Sequence, residues 1–380
     1  MRSVLVLTST FPLNKNSSIN PCVKNLILHL SREIKIIVVL PDHPELELSY
    51  LKNKNIKFVI FKYFYPRSWQ KLTYGSGIIP NLKNNPLLAL EVIPFFIAQI
   101  KATRKIINSK EINTVWTNWV IPSGLSAAIS LYGNKKTKFI TYIHGSDAHI
   151  QNFFYQKLLS YTVKKSDQVI TVSQSLLGKI KKYSKSATVI PQGVITHKQK
   201  PLKRKPWILF AGRLIPGKGA RETIDAFSRI KNKYPQYQLL IIGQGPQKNF
   251  LKNYVAKNKI PRVKFLGSIS NDLLLEKMRR SKLLIFLSTL PEGLPNILLE
   301  AGANKLPILS SKIDGAKDLI SEKTAYLTEL NPEKISQKIE FILSNYPRAT
   351  KKSDTFYRKI QKNFSVSKSA NTFLKVIKSL

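Results

Sequence analysis

Apolar residues in this chain gather in short blocks rich in Val and Ile, separated by stretches with helical spacing. The blocks VLVLT (residues 4–8), IKIIVVL (34–40), IKFVIF (56–61), INTVWT (112–117), FITYI (139–143) and DQVITVS (167–173) are nearly continuous runs. Runs without alternation predict strands of a parallel sheet covered on both faces. Helical patterns at 21–32 and 122–132 fill two of the gaps, so strands and helices alternate and the fold class is doubly wound α/β. TVIPQGV (188–194) closes this first series. The polar, basic stretch HKQKPLKRKP follows, with two prolines and no apolar period, and predicts a linker over 198–206. The rhythm then restarts with WILFAG (207–212), QLLIIG (238–243), VKFLG (263–267), KLLIFLS (282–288), PILSS (307–311) and AYLT (325–328). Helical patterns lie at 220–233, 272–280 and 295–303. The expectation is an N-terminal Rossmann-like domain over 1–197 and a second over 207–350, facing each other across a cleft, with ligands at the carboxyl ends of the strands.

A length of 380 residues exceeds what one hydrophobic core sustains and agrees with two domains. An apolar fraction of 43% excludes a disordered or collagenous chain, and the single Cys22 excludes an intrachain disulfide. The charge changes the picture more. Sixty-two Lys and Arg face 21 Asp and Glu, a net of +41. Residues 1–197 carry +18 and residues 198–380 carry +23, so the excess is spread and not gathered as a nucleic-acid footprint would be. Attraction to anionic lipid and a Lys-rich coding bias remain as readings of it. The most apolar stretch, residues 86–100, is interrupted by Glu91 and Pro94 and is too short to span a bilayer; no transmembrane helix or cleaved leader is predicted.

Three places could carry chemistry. GRLIPGKG (212–219) runs from a strand into a helix but lacks the Ser or Thr that would make it a nucleotide-hydrolase P-loop, since Gly219 stands there. Arg213 and Lys218 could still clamp a diphosphate, or be two solvated bases. In PEGLPNILLE (291–300), Pro295 suits a helix start, which places Glu292 in the loop before it and Glu300 inside it. HGSD (144–147) follows a strand directly, so His144 would face the strand-end cleft unless it packs inside, and Ser146 or Asp147 could cap the loop. No spacing of His, Cys, Asp and Glu matches a metal site.

Together these segments resemble retaining glycosyltransferases of family 4, with the GT-B fold. The carriers are GRLIPGKG, IIGQGP, VKFLGSIS and PEGLPNILLEA in the second domain, and NWVIPSGLSAA, YIHGSD, DQVITVSQSL and VIPQGV in the first. The resemblance implies that Arg213 and Lys218 bind the donor diphosphate and that Glu292 stabilises the transferred sugar. The backbone of Gly293, Leu294, Pro295 and Asn296 would meet sugar and phosphates. Glu300 would take the ribose hydroxyls, and His144 would lie beside the sugar at the domain interface. Ser17, Ser18 and Asp147 would lie on the acceptor side. It also implies a nucleotide-sugar donor, a glycan or lipid-linked glycan acceptor in cell-surface polysaccharide synthesis, no metal or other cofactor, and no nucleic-acid partner. NFSVSKSANTFLKVI resembles the family's last helix, so residues 351–380 are expected to cross back to the first domain. Two alternatives stay open, a nucleotide-sugar epimerase on the same fold and a non-enzymatic basic nucleic-acid-binding protein.

The sequence departs from the family pattern in places. Ser17 and Ser18 stand near a usual glycine, Gln192 replaces Asn in PQGVI, Lys305 replaces a glycine in ANKLP, and Asp314 replaces the first of two glycines in IDGAKDLI. The aromatic and basic segment 58–86 resembles the acceptor-side loop of polysaccharide-building members. Its Lys62, Arg67, Trp69 and Lys71, beside the apolar run 86–100, predict peripheral attachment to the cytoplasmic face of an anionic membrane.

Overall fold

The computed structural model describes every residue except Met1, Ser18, Asn20, Ser76 and 197–201. The chain forms two compact units, Met1–Gly193 with Val366–Leu380, and Val194–Ser365. The helix Tyr346–Asn363 belongs to the second unit, and within 351–380 it is the final helix Val366–Ser379 that joins the first.

In the first unit, seven strands pair in parallel: β1 (Ser3–Leu7), β2 (Lys35–Pro41), β3 (Ile56–Phe61), β4 (Thr114–Asn118), β5 (Lys138–Ile143), β6 (Gln168–Thr171) and β7 (Ala187–Val189). Their order is β3-β2-β1-β4-β5-β6-β7. The order reverses between β1 and β4, so the loops leaving these two strands diverge to opposite faces and open a crevice at the carboxyl edge. One face of the sheet buries Leu7, Val39 and Val115 beneath Phe95. The other is covered by Pro21–Leu30 and by Val366–Ser379, which touch each other. Val366, Ala370, Phe373, Leu374 and Ile377 recur at helical spacing and are all buried. Phe373 lies 4.6 Å from the Trp116 ring centroid and 5.9 Å from that of Tyr142. Arg2 clamps the end of this helix through the carbonyls of Ile377 and Lys378.

The expected helix at 122–132 is shorter. A turn over Val120–Gly124, containing a cis Ile121–Pro122 bond, precedes a helix at Leu125–Ser130. The run 86–100 is also longer than its apolar pattern suggests, because one continuous helical stretch covers Pro86–Ser109. By length and composition it could cross a membrane. It is nevertheless an element of this fold, since Phe95, Gln99, Thr103 and Ile106 bury one side of it and it touches β2 and β3.

The second unit has six parallel strands: β8 (Trp207–Ala211), β9 (Gln238–Ile242), β10 (Val263–Gly267), β11 (Leu283–Phe286), β12 (Ile308–Ser311) and β13 (Tyr326–Thr328), in the order β10-β9-β8-β11-β12-β13. Its core joins Ile208, Phe210, Leu239, Ile241 and Ile285 to Ile224 and Phe227 of the helix Ala220–Ile230 and to Ile335 and Ile339 of Pro332–Ser344. The reversal here falls between β8 and β11.

Candidate active site

The two sharpest motifs of the second domain leave adjacent strands at that reversal. The loop after β8 carries Arg213 and Lys218, and the loop after β11 carries Glu292. Backbone bonds join the loops, with Thr289 N–H donating to the Gly217 carbonyl at 2.8 Å. Gly219 makes their approach possible. It has φ +81°, and a Cβ there would stand 2.4 Å from that of Leu287. The Lys218 ammonium pairs with Glu292 Oε1, and Ser288 Oγ donates to the same oxygen at 3.2 Å. Ser311 Oγ in turn donates to the Ser288 carbonyl at 2.7 Å. Arg213 is exposed at the start of its loop.

Pro295 stands one position before the helix and not in its first turn, so the helix is Asn296–Ala303. No side chain caps it. Its leading amides are therefore free to meet an anion, in addition to the cations of Arg213 and Lys218. Gly293, Leu294 and Pro295 are buried as they lead in, and Asn296 Oδ1 is buried without a partner. Gly315 packs under the Glu292 carbonyl, where a Cβ would come within 2.3 Å of the oxygen. The Gly-to-Asp departure at Asp314 is thus one residue away from the contact, and Asp314 is exposed beside Lys317.

Glu300 is only 8% exposed and accepts a 3.0 Å bond from Asn271 Nδ2. Burial lifts its carboxyl to about 7, against the opposing pull of the Asn271 bond. The folded chain holds this proton at pH values where the unfolded chain has released it. Stability from this group is therefore present in full below about pH 4.5 and declines as pH rises through 7, by about 3 kcal/mol in total. Glu300→Gln is expected to flatten that decline, so that melting curves of variant and parent diverge between about pH 5 and 8. Parallel curves would show that the carboxyl is ionised throughout.

In the first unit His144 directly follows β5. Gln192 Nε2 donates to its Nδ1 at 2.5 Å, which leaves Nε2–H to donate to Asn118 Oδ1 at 3.0 Å. The ring lies between Trp119 and Tyr142, with centroids at 4.9 and 4.4 Å. Burial lowers its pKa to about 3, so the imidazole is neutral. Both ring nitrogens are thus engaged within the first unit. The longer Gln192 at the family's Asn position is what reaches it. Asp147 is buried and accepts from the backbone N–H of Gly145 at 2.9 Å and of Val120 at 3.2 Å. Burial raises its pKa. It pins the loop after β5 to the turn after β4, and neither oxygen is left facing outward for an acceptor. Ser17 lies in the loop after β1 and accepts from Ile19 N–H at 3.3 Å. Ser18 lies outside the described residues. Among the described residues no group of three or more His, Cys, Asp or Glu gathers as a metal site.

The sequence patterns assign no role to four contributors: Ser288 at the end of KLLIFLS, Asn271, and Asn118 and Trp119 at the start of NWVIPSGLSAA. Each acts by holding a functional side chain and carries no spacing signal of its own. Lys305, at another departure, sits just after Asn296–Ala303 with φ +53°, a left-handed position that favours glycine.

Comparison with known proteins agrees with the fold. Residues 194–362 match the profile "Glycosyl transferases group 1", and residues 21–198 match "Glycosyltransferase Family 4". An uncharacterised glycosyltransferase of Methanocaldococcus jannaschii is 27% identical over 303 residues, covering 77% of this chain and 81% of its own. A glycogen synthase of Mycobacterium tuberculosis is 29% identical over 172 residues, covering 42% of this chain and 41% of its own. Among solved structures, Anabaena HepE in complex with UDP and glucose superposes with a TM-score of 0.76 at 17% identity, over 100% of both chains. Sucrose-phosphate synthase from Thermosynechococcus elongatus gives a TM-score of 0.79 at 17% identity, over 100% of this chain and 99% of its own.

Proposed function

We propose, for a chain that belongs to the group 1 glycosyltransferases of the GT-B fold, that it transfers a hexose or related sugar from a nucleotide-diphosphate sugar with retention of anomeric configuration. The acceptor is a glycan or lipid-linked glycan of cell-surface polysaccharide synthesis, met at the cytoplasmic face of the membrane. The observation that carries the donor reading is the Lys218–Glu292 pair at the strand reversal of the second unit, beside an uncapped helix start.

The Lys218 ammonium and the Glu292 carboxylate neutralise each other. An arriving diphosphate offers Lys218 a doubly charged partner, with Arg213 and the leading amides of Asn296–Ala303 beside it. Lys218 then turns to the leaving group, and Glu292 is left facing the sugar. As the bond from the anomeric carbon to the diphosphate oxygen breaks, positive charge grows on the ring and Glu292 stabilises it. The acceptor hydroxyl oxygen bonds to the anomeric carbon on the same face, and its proton passes to the leaving phosphate oxygen. Glu300, once ionised, accepts from the ribose hydroxyls. Two cations and a helix start do the work of a divalent metal, so no metal is needed.

A donor screen by release of nucleoside diphosphate tests this, beginning with UDP-glucose. Turnover is expected to survive EDTA, and Arg213→Ala and Lys218→Ala are each expected to raise the donor KM by about tenfold or more. Turnover lost in EDTA and restored by Mn²⁺ would overturn the metal-free reading. Unchanged KM in both variants would remove the cations from the donor site.

A further inference from the structure

Three helical segments lie side by side on one face of the first sheet. They are Pro86–Ser109, Leu125–Ser130 and Phe153–Lys165, with the second touching both others. All strands of this sheet run parallel, so each of these helices starts near the carboxyl edge and returns toward the amino edge. That edge is where Asn118, His144 and the loop after β1 stand.

The first turns of the two outer segments carry large apolar side chains that are mostly exposed. Leu87 is 74% exposed, Leu90 70% and Ile93 70%, with Ile97 next on the same side. On the other helix Phe154 is 73% exposed, with Phe153 and Leu158 beside it. These residues are not a misplaced core, because Phe95, Gln99, Thr103 and Ile106 already fill the inward side of the first helix and Leu159, Thr162 and Val163 that of the other. Tyr65 and Trp69 are also exposed. Their segment is held to the start of the long helix by Glu91, which accepts from the backbone N–H of Lys71 and Leu72 at 3.0 Å each.

The charges around these side chains are predominantly positive. Between residues 62 and 110 there are eight Lys and Arg and a single acid, Glu91, which is buried. Between residues 148 and 166 there are three Lys and no acid, and the exposed acids that follow these two stretches, Glu111 and Asp167, stand at the amino-edge ends of the helices, away from the apolar first turns. Toward the amino edge the apolar side of each helix passes into cations, Lys101, Arg104 and Lys105 on one and Lys164 and Lys165 on the other, all exposed. Lys157 Nζ lies 4.4 Å from the Phe153 ring centroid. Arg67, a member of the lipid-binding set expected from sequence, drops out, since Asp42 neutralises it through bonds of 2.7 and 2.8 Å.

Aliphatic and aromatic side chains bordered by an excess of cations fit an anionic bilayer interface, where the first enter the acyl boundary and the second meet the headgroups. A nucleic acid has no use for the aliphatic stripe. The geometry points to a bipartite membrane-docking rim on the first unit, formed by Leu87, Leu90, Ile93 and Ile97 with Phe153 and Phe154, that seats on anionic phospholipid and turns the carboxyl edge of the sheet toward the bilayer. Docking itself does not require transferase activity; the further step, that this edge receives a lipid-linked acceptor, rests on the function proposed above.

The test is flotation of the full chain with vesicles, half phosphatidylglycerol and half phosphatidylcholine, against phosphatidylcholine alone. The parent is expected to float with the anionic vesicles at low salt and to release as salt is raised. The double variants Leu90→Asp/Ile93→Asp and Phe153→Ser/Phe154→Ser are each expected to lose binding by about tenfold or more. Phe250→Ser, at an exposed aromatic of the second unit, is expected to change nothing. A melting curve for each variant separates lost docking from lost folding, and nucleoside-diphosphate release in vesicle-free buffer reports separately on the transferase reading. Parent protein left in the supernatant at low salt overturns the proposal. So does full binding by either folded double variant, or a change confined to oligomeric state.

Discussion

Glu292→Gln is expected to lower glycosyl transfer by about 100–1000-fold while leaving the fold intact, the range seen when a preorganised electrostatic group is removed from a reacting centre. The substitution keeps shape and an oxygen that can accept the Ser288 hydroxyl bond. It removes the charge that pairs with Lys218 in the resting site and would face the cationic sugar during transfer. Two effects therefore separate. Donor binding is expected to hold or tighten, because Lys218 loses a competitor for the diphosphate. Turnover at saturating donor is expected to collapse. Steady-state kinetics with a melting curve measure both, and a folded variant with the parent's turnover would remove Glu292 from the mechanism.

Phe373→Ala is expected to destabilise the first unit by about 3–5 kcal/mol, the usual result of truncating a fully buried aromatic. Phe373 is wholly buried and fills the space between Trp116 and Tyr142, the two largest rings of that face of the sheet. Tyr142 further ties the centre of the sheet to the Ile190 carbonyl at 2.7 Å. The cavity thus opens against strands β4 and β5, whose ends carry Asn118 and His144. Urea unfolding followed by Trp fluorescence reads the loss. A change below about 1 kcal/mol would mean that the final helix only rests on the sheet.

Both sheets were legible because a strand buried on two faces is written as an uninterrupted apolar run. Val4–Leu7 and Ile208–Ala211 have no polar position to confuse the pattern, and all are buried. The helix Phe153–Lys165 was not legible. Its exposed Phe153, Phe154, Leu158 and Tyr161 blur the contrast between faces on which a periodic reading depends. Glu292 and Lys218 could be singled out one at a time from their motifs, but their pairing across residues distant in sequence depends on the strand order. Asp147 shows the limit from the other side. Its place in HGSD suits an outward-facing carboxylate equally well, and only the turn after β4, a separate piece of chain, decides that both oxygens face backbone amides.

The final helix has a consequence for synthesis. Val366–Ser379 completes the first unit, yet Val194–Ser365 lies between them in the chain. At about 5–20 residues per second, translation needs roughly 9–34 s to cross that interval. Throughout it the nascent first unit lacks Phe373 over Trp116 and Tyr142, and at its end the second unit has all its residues while the first still awaits its final helix. The usual order, with the N-terminal domain finished first, is thereby inverted, and a chaperone that shields apolar sheet surface has its natural window in this delay.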